Sequence, residues 1–360
     1  MTTIWTPITV GSFELSHRLA MAPMTRSRAQ PDGTPGELAA DYYAQRAGLG
    51  LLITEGTQPS DAGQGYPLTP GIYTDAHVDG WKQVADAVHA KRACLFIQLM
   101  HVGRISHPDN APGHRQAVAP SAIASGEDMF TLEGMKPMPK PRAMSEVDIE
   151  ETIADFANAA HRAVAAGADG VEIHGANGYL VHQFLAQNAN RRDDAWGGSL
   201  ENRSRFAIEV ARAVSDAIGP ERTGIRLSPG APMGGIDEGP ESDALYRYLV
   251  RELDKLGLAY LHLLHLGNEV LLADIRDRWS RALIVNRAGG SRDRIGRDVE
   301  SGLADMESYA TMVLANPDFV ERVRTGAPFN DPDKATFYGG GAKGYTDYPR
   351  LEVMSAGEVK

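Results

Sequence analysis

Residues 170–206 read GVEIHGANGYLVHQFLAQNANRRDDAWGGSLENRSRF. The apolar run Val171 to Ile173 stops at His174, and Asn177 and Tyr179 follow, with Gly175 and Gly178 among them. This is the pattern of a buried strand that ends in a tight turn. Three hydrogen-bonding side chains of different kinds then sit at its mouth, a common way to place donors around a small ligand. Taken alone, a His at a strand end is more often a satisfied structural group, and a Tyr more often packs. The rest of the chain decides between the two.

Outward from this stretch, short apolar segments recur near residues 20, 51, 96, 172, 226, 262, 284 and 309. Most are followed by a stretch of helical periodicity. Asp79–Ala90 carries Trp81, Val84, Ala85 and Val88 on one face. Ser145 opens another helix, with Asp148 three residues on as a capping-box partner. Leu200–Ile218, Ala244–Leu256 and Glu269–Trp279 complete the main set. Alternation of this kind favours parallel βα units. Eight units in 360 residues suggest an α/β fold of the closed (β/α)8 TIM-barrel type, as one domain over residues 1–360. A doubly wound sheet would call for a GxGxxG turn after an early strand, and there is none. Ile8–Leu15 reads as an N-terminal hairpin cap turning at Gly11-Ser12. Residues 103–144 break the rhythm with a proline-rich excursion after the third strand, expected to pass over one barrel mouth.

Bulk properties exclude several classes. With 42% hydrophobic and 23% charged residues the composition is that of an ordinary globular chain. The net charge of −11 argues against nucleic acid or an anionic membrane surface as a partner. No apolar run is long enough to span a bilayer. The start, MTTIWTPITVG, lacks the features of a secretory signal. The single cysteine, Cys94, permits no intrachain disulfide and no cysteine-ligated cluster, and reads as an inert core residue. No other metal centre is expected, and a reducing cytoplasm is the expected compartment.

In a barrel the C-terminal strand ends share one mouth. They supply Thr25, Gly56, Gln98, the His174/Asn177/Tyr179 set, Arg226, and Arg287 with the glycines after it. The neutral groups suit the rim of a flat heteroaromatic ring, and Gln98 offers both a donor and an acceptor. The late strands suggest an anion-binding corner of backbone N–H groups plus an Arg. The alternative for Arg226 is a buried ion pair with a carboxylate; for Arg287 it is plain surface exposure.

Several segments resemble the Old Yellow Enzyme family of flavin-dependent ene-reductases: MAPMTR at 21–26, EGT at 55–57, QLMHVGR at 98–104, HGANGYLVHQFL at 174–185, WGGSLENRSRF at 196–206, RLSP at 226–229, LANPD at 314–318 and FYGGGAKGYTDYP at 337–349. The resemblance covers nearly the whole chain and looks nearest to the bacterial branch of N-ethylmaleimide, pentaerythritol tetranitrate and xenobiotic reductases. It implies non-covalent FMN at the barrel mouth, NADPH or NADH as reductant, and an activated alkene (an enone, maleimide or nitroalkene, or else a nitrate ester) as substrate. It implies that His174 and Asn177 hold the substrate oxygen and that Tyr179 protonates the α-carbon. Thr25, with Pro23, Met24 and Gly56 near it, would contact the flavin; Gln98 would bond its pyrimidine edge; Arg226 would lie by the ring and ribityl chain. Tyr66, Met100 and Tyr338 would line the substrate side.

The chain departs from the family pattern in places. His17-Arg18 stands where Asn-Arg is frequent, and Met100 where Trp is common. GAPMGGIDEG follows RLSP and is richer in Gly than the pattern. The aromatic-Gly-Arg phosphate motif of the last strand reads Tyr309-Ala310-Thr311. The expectation is that Arg287 takes over the phosphate, with backbone N–H groups of Gly289, Ala310 and Thr311. Larger relatives with an iron–sulfur cluster are excluded by one cysteine. The competing function is a TIM barrel that binds a flavin or phosphorylated ligand without ene-reductase activity. Oligomeric state is left open.

Overall fold

The structure is a computed structural model and describes residues 2–351. Eight strands form a closed barrel with all neighbours parallel: β1 Leu19–Met21, β2 Leu51–Ile53, β3 Cys94–Leu99, β4 Gly170–Gly175, β5 Thr223–Leu227, β6 Tyr260–His265, β7 Ala282–Arg287 and β8 Met306–Tyr309. β8 closes onto β1 through Glu307↔Leu19 and Tyr309↔Met21. The principal helices are α1 Ala39–Gln45, α2 Asp75–His89, α3 Glu146–Ala165, α4 Leu180–Leu185, α5 Leu200–Ile218, α6 Ser242–Asp254, α7 Glu269–Arg278, α8 Arg297–Glu300, α9 Thr311–Ala315 and α10 Phe319–Thr325. All eight expected strands are present. α2 begins one turn earlier than its apolar periodicity suggests, because Thr74 caps it by accepting from the N–H of His77 at 3.2 Å. Among the described residues no helix is long and apolar enough to cross a membrane.

Strand side chains alternate, so each strand residue faces either the barrel interior or the helix layer. Leu95, Ile97, Val171, Ile173, Ile225, Leu283 and Val285 pack outward against the helices. Ala20, Leu51, Phe96, Tyr260, Ile284 and Met306 fill the interior, and Val10 and Leu15 of the hairpin Ile8–Val10/Phe13–Leu15 plug it from the N-terminal end. Gly224 makes room for one of these large groups: a Cβ there would lie 2.3 Å from the Tyr260 ring. Nearer the C-terminal mouth the interior turns polar. Gln98 Nε2 donates to Glu172 Oε1 at 2.7 Å, Glu172 Oε2 pairs with His262 Nδ1 at 2.8 Å, and His262 Nε2 lies 2.8 Å from Ser308 Oγ. Each member has a partner, which makes its burial tolerable. Cys94 is a free, buried thiol at the start of β3, as its apolar setting suggests.

Two irregular segments lie over the mouth. The excursion contains a hairpin, Asp128–Thr131 with Gly134–Pro137, whose Met129 packs with Met138, Met100, Val102 and Ile105, with Tyr66 and Tyr179 against them. The C-terminal segment is tied down by arginines. Arg26 donates to the carbonyls of Phe337 and Gly344 at 3.0 and 2.8 Å, with its guanidinium 5.1 Å from the ring centroids of both Tyr42 and Tyr345. Arg46, 1% exposed, donates to the carbonyls of Val313, Tyr42, Leu314 and Tyr345 at 3.2, 2.8, 2.5 and 3.3 Å. These are charge-assisted bonds to carbonyls that have no water to turn to. Arg46→Ala is expected to lower unfolding stability by about 2–4 kcal/mol. It should appear as a lower urea midpoint with unchanged slope.

Candidate active site

The turn after β4 is held from beneath. The Asn177 N–H donates to Ser228 Oγ at 2.9 Å, and that of Gly178 to His182 Nδ1 at 3.0 Å. His182 Nε2 meets Glu238 Oε1 at 2.7 Å, and the Tyr246 hydroxyl donates to the same oxygen at 2.6 Å. Asn177 has φ 57° and Gly178 φ 83°, both left-handed. Asn tolerates that region, and at 178 only Gly does, since a Cβ would lie 2.3 Å from the Met233 carbonyl oxygen. Gln183 then ties the turn to the loop after β3, donating to the carbonyls of Val102 and Gly178 at 2.9 and 2.7 Å and accepting from the Arg104 N–H at 3.1 Å.

This scaffold fixes the protonation of the side chains above it. His174 Nδ1 accepts from the Ala176 N–H at 3.3 Å, so the ring proton sits on Nε2. Burial, reinforced by the Arg226 guanidinium, holds His174 well below the ordinary 6.5 and therefore neutral. Burial likewise pushes the Tyr179 phenol well above 10.0. Tyr179 donates to the Tyr66 hydroxyl at 3.1 Å, and its ring stands edge-on to His174 with centroids 4.8 Å apart.

One cavity gathers most of the residues read from sequence. Pro23, Met24, Thr25, Gly56 and Gln98 line one side of it. Met100, His174, Asn177, Tyr179, Thr311 and Tyr338 line the rest, joined by Leu314 and Phe337. Tyr66 reaches the same place through Tyr179. Arg226 lies on the inner face of β5, beside His174 in register. Its Nη2 donates to Asn286 Oδ1 at 3.2 Å, while Nε and Nη1 have no partner among the described residues. It forms no ion pair there, so the alternative of a structural salt bridge is not met.

An unpartnered buried guanidinium calls for an acceptor from a ligand. Asn177 Oδ1 is also buried without a partner. Gln98 gives its amide N–H to Glu172, so its Oε1 remains for a donor on the ligand. A planar ring with alternating acceptors and N–H groups on its edge, such as an isoalloxazine, fits this donor set.

The late-strand corner corrects one expectation. Ile284 faces inward, so alternation turns Asn286 inward and Arg287 outward. Arg287 is held by two carboxylates. Nε and Nη2 donate to Asp298 at 2.7 and 2.8 Å, and Nη1 and Nη2 to Glu269 at 2.6 and 3.0 Å. The Arg287 guanidinium in turn holds the Glu269 carboxyl down at about 2. Arg287 is therefore not the free phosphate anchor expected of it. Gly289 and Ala310 stand outside the cavity lining, whereas Thr311 lines it. Asn286, Ser228, Glu172 and His182 were not singled out from sequence. For Asn286 and Glu172 the signal was present, as polar residues at inward positions of apolar strands. Ser228 acts through a contact between segments far apart in sequence, and His182, four residues from Gly178, is itself held by the distant Glu238.

The match to known proteins is extensive. A model of the NADH:flavin oxidoreductase / NADH oxidase family matches residues 3–330. Chanoclavine-I aldehyde reductase of Penicillium roqueforti is 44% identical over 368 residues, covering 97% of this chain and 96% of that protein. 12-Oxophytodienoate reductase 1 of Oryza sativa subsp. japonica is 43% identical over 365 residues, covering 97% and 93%. The structure of morphinone reductase in complex with tetrahydroNAD superposes with a TM-score of 0.94 at 43% identity, over 98% of this chain and 99% of that one. These relatives do not single out the N-ethylmaleimide reductase branch to which the sequence motifs pointed. At the level of the family, motifs, barrel and whole-length similarity converge, and this chain belongs to the NADH:flavin oxidoreductase / NADH oxidase family.

Proposed function

We propose that this chain is an FMN-dependent NAD(P)H oxidoreductase that reduces activated C=C bonds. The observation that carries the reading is the pairing, in one cavity, of neutral donors at His174 and Asn177 with a protonated Tyr179, beside a buried Arg226 that lacks a partner. Gln98, Thr25, Gly56 and Arg226 would hold the flavin ring. When bound, the flavin supplies hydride transfer from the nicotinamide to the alkene.

The chain's own part is to bind, polarise and protonate. His174 Nε2–H and the Asn177 amide donate to the carbonyl or nitro oxygen of the substrate, where negative charge grows as the β-carbon is reduced. Neutral donors suit this role, because an imidazolium next to Arg226 would be a second buried cation. Tyr179 delivers the proton to the α-carbon, and Tyr66 fixes the direction of its hydroxyl. Met129, Met138 and Met100 form an apolar wall that limits water on the substrate side. The substrates to expect are enones, maleimides and nitroalkenes.

The direct test is to purify the protein and bleach its yellow colour anaerobically with NADPH or NADH. Colour should return on adding cyclohexenone. Protein that cannot be loaded with any flavin would refute the reading, and bleaching without recolouring would favour a flavin-binding barrel that lacks alkene reduction. Tyr179→Phe should slow the alkene half-reaction by about 10²-fold or more and leave flavin reduction by NADPH within about twofold. Equal loss in both halves would remove Tyr179 from the proton-donor role. The alkene half-reaction should be flat in pH between 6.5 and 10.0, since the His174 value is displaced below that window and the Tyr179 value above it. Acid loss should appear only below 6.5, as His174 takes up a proton, and alkaline loss only above 10.0, as Tyr179 gives one up. Stopped-flow traces across the window check this.

A further inference from the structure

Asn286 lies buried on the inward face of β7, and both ends of its amide are used. Nδ2 donates to the Ser308 carbonyl at 2.8 Å, and Oδ1 accepts from Arg226 Nη2 at 3.2 Å. These partners fix the direction of the amide, since a flipped one would set N–H against N–H and oxygen against oxygen. Arg226 belongs to β5, with the whole of β6 between, so the contact bridges strands that are not neighbours. Among the described residues it is the one hydrogen bond on the guanidinium, whose Nε and Nη1 are buried with none. The surrounding groups leave the charge in place. Glu172 and Tyr260 favour the Arg226 cation without bonding to it, and the two Glu172 oxygens are taken by Gln98 and His262. His174 and His262 flank Arg226 in register on β4 and β6, and burial together with the guanidinium holds both below the ordinary 6.5.

An aspartate at 286 would have nearly the same shape, but it would close an ion pair on Nη2 and leave the Ser308 carbonyl without its donor. The asparagine anchors the guanidinium and leaves its charge uncancelled. We infer that Asn286 is the positioning residue for Arg226, a neutral acceptor that holds the guanidinium at the floor of the mouth with its positive charge available to a bound flavin. Two-electron reduction adds negative charge to the flavin ring, and a fixed cation beside it in a buried site favours the reduced form. The inference rests on the flavin reading above and adds a residue that sets how readily the bound flavin is reduced.

The midpoint potential of the bound flavin, read against a reference dye in the FMN-loaded protein, tests this without turnover. Asn286→Asp turns the neutral anchor into an ion pair on the same nitrogen. It should weaken the hold on reduced relative to oxidised flavin about tenfold, a fall of about 30 mV for a two-electron couple. Asn286→Ala removes the anchor but not the charge, and its fall should be about threefold, or about 15 mV. Both variants lose the bond to the Ser308 carbonyl, so a merely structural role predicts equal shifts. Equal shifts, or no shift in either variant, would overturn the inference. In an Arg226→Met background Asn286→Ala should move the potential no further. A further threefold fall there would show that Asn286 acts otherwise than through Arg226 and would also overturn it, whether or not the aspartate variant folds. Unsubstituted protein that retains no flavin would bring down the proposed function itself, an outcome distinct from a bound flavin whose potential is indifferent to residue 286.

Discussion

In a closed barrel, strand alternation leaves each side chain two destinations, the interior or the helix layer, and the mouth inherits that choice. The inward set on consecutive strands runs Gln98, Glu172, Arg226, His262, Asn286 and Ser308, and it forms the floor beneath the cavity. One residue further along β7 the direction reverses, and Arg287 leaves the site for two carboxylates on the outside. A shift of one residue in register would exchange these sets, which is why the identity of the floor depends on the closure of the whole sheet.

The floor works through satisfied and unsatisfied groups. Glu172, His262 and Ser308 complete one another and ask nothing of a ligand, while Gln98 is anchored to Glu172 through its amide N–H and keeps Oε1 for one. Arg226 has one partner and two nitrogens without any, so it carries the demand for one. The turn at 174–179 adds directed donors to the wall of the cavity. It is rigid because Ser228, His182 and Gln183 occupy its backbone groups. Above it, the methionine wall and the arginine-bound C-terminal segment bring Met100, Phe337 and Tyr338 to the rim.

Much of this was legible in the sequence. Eight apolar segments at regular spacing announce the barrel, because a parallel strand buried on both faces must be apolar over its length. His174, Asn177 and Tyr179 were visible because polar groups just past such a run emerge at the mouth. The excursion's hairpin was less visible: its strands alternate weakly and are stabilised by packing on Met100, Val102 and Ile105. Arg287 was misplaced because strand-end position was read without following alternation to its last residue. Its partners, Glu269 on α7 and Asp298 on α8, are 18 and 11 residues away and could not be foreseen from local pattern.

By itself, then, the sequence determined the fold class, the family and the polar residues of the turn after β4, since these depend on local periodicity and on short motifs. Tertiary structure decided which charged groups remain free. Among the described residues Arg226 keeps nitrogens without partners because no carboxylate bonds it inside the barrel, and Arg287 loses its freedom because two bond it outside. Charge pairing is a property of which strands and helices come to lie side by side, and only the closed barrel settles that.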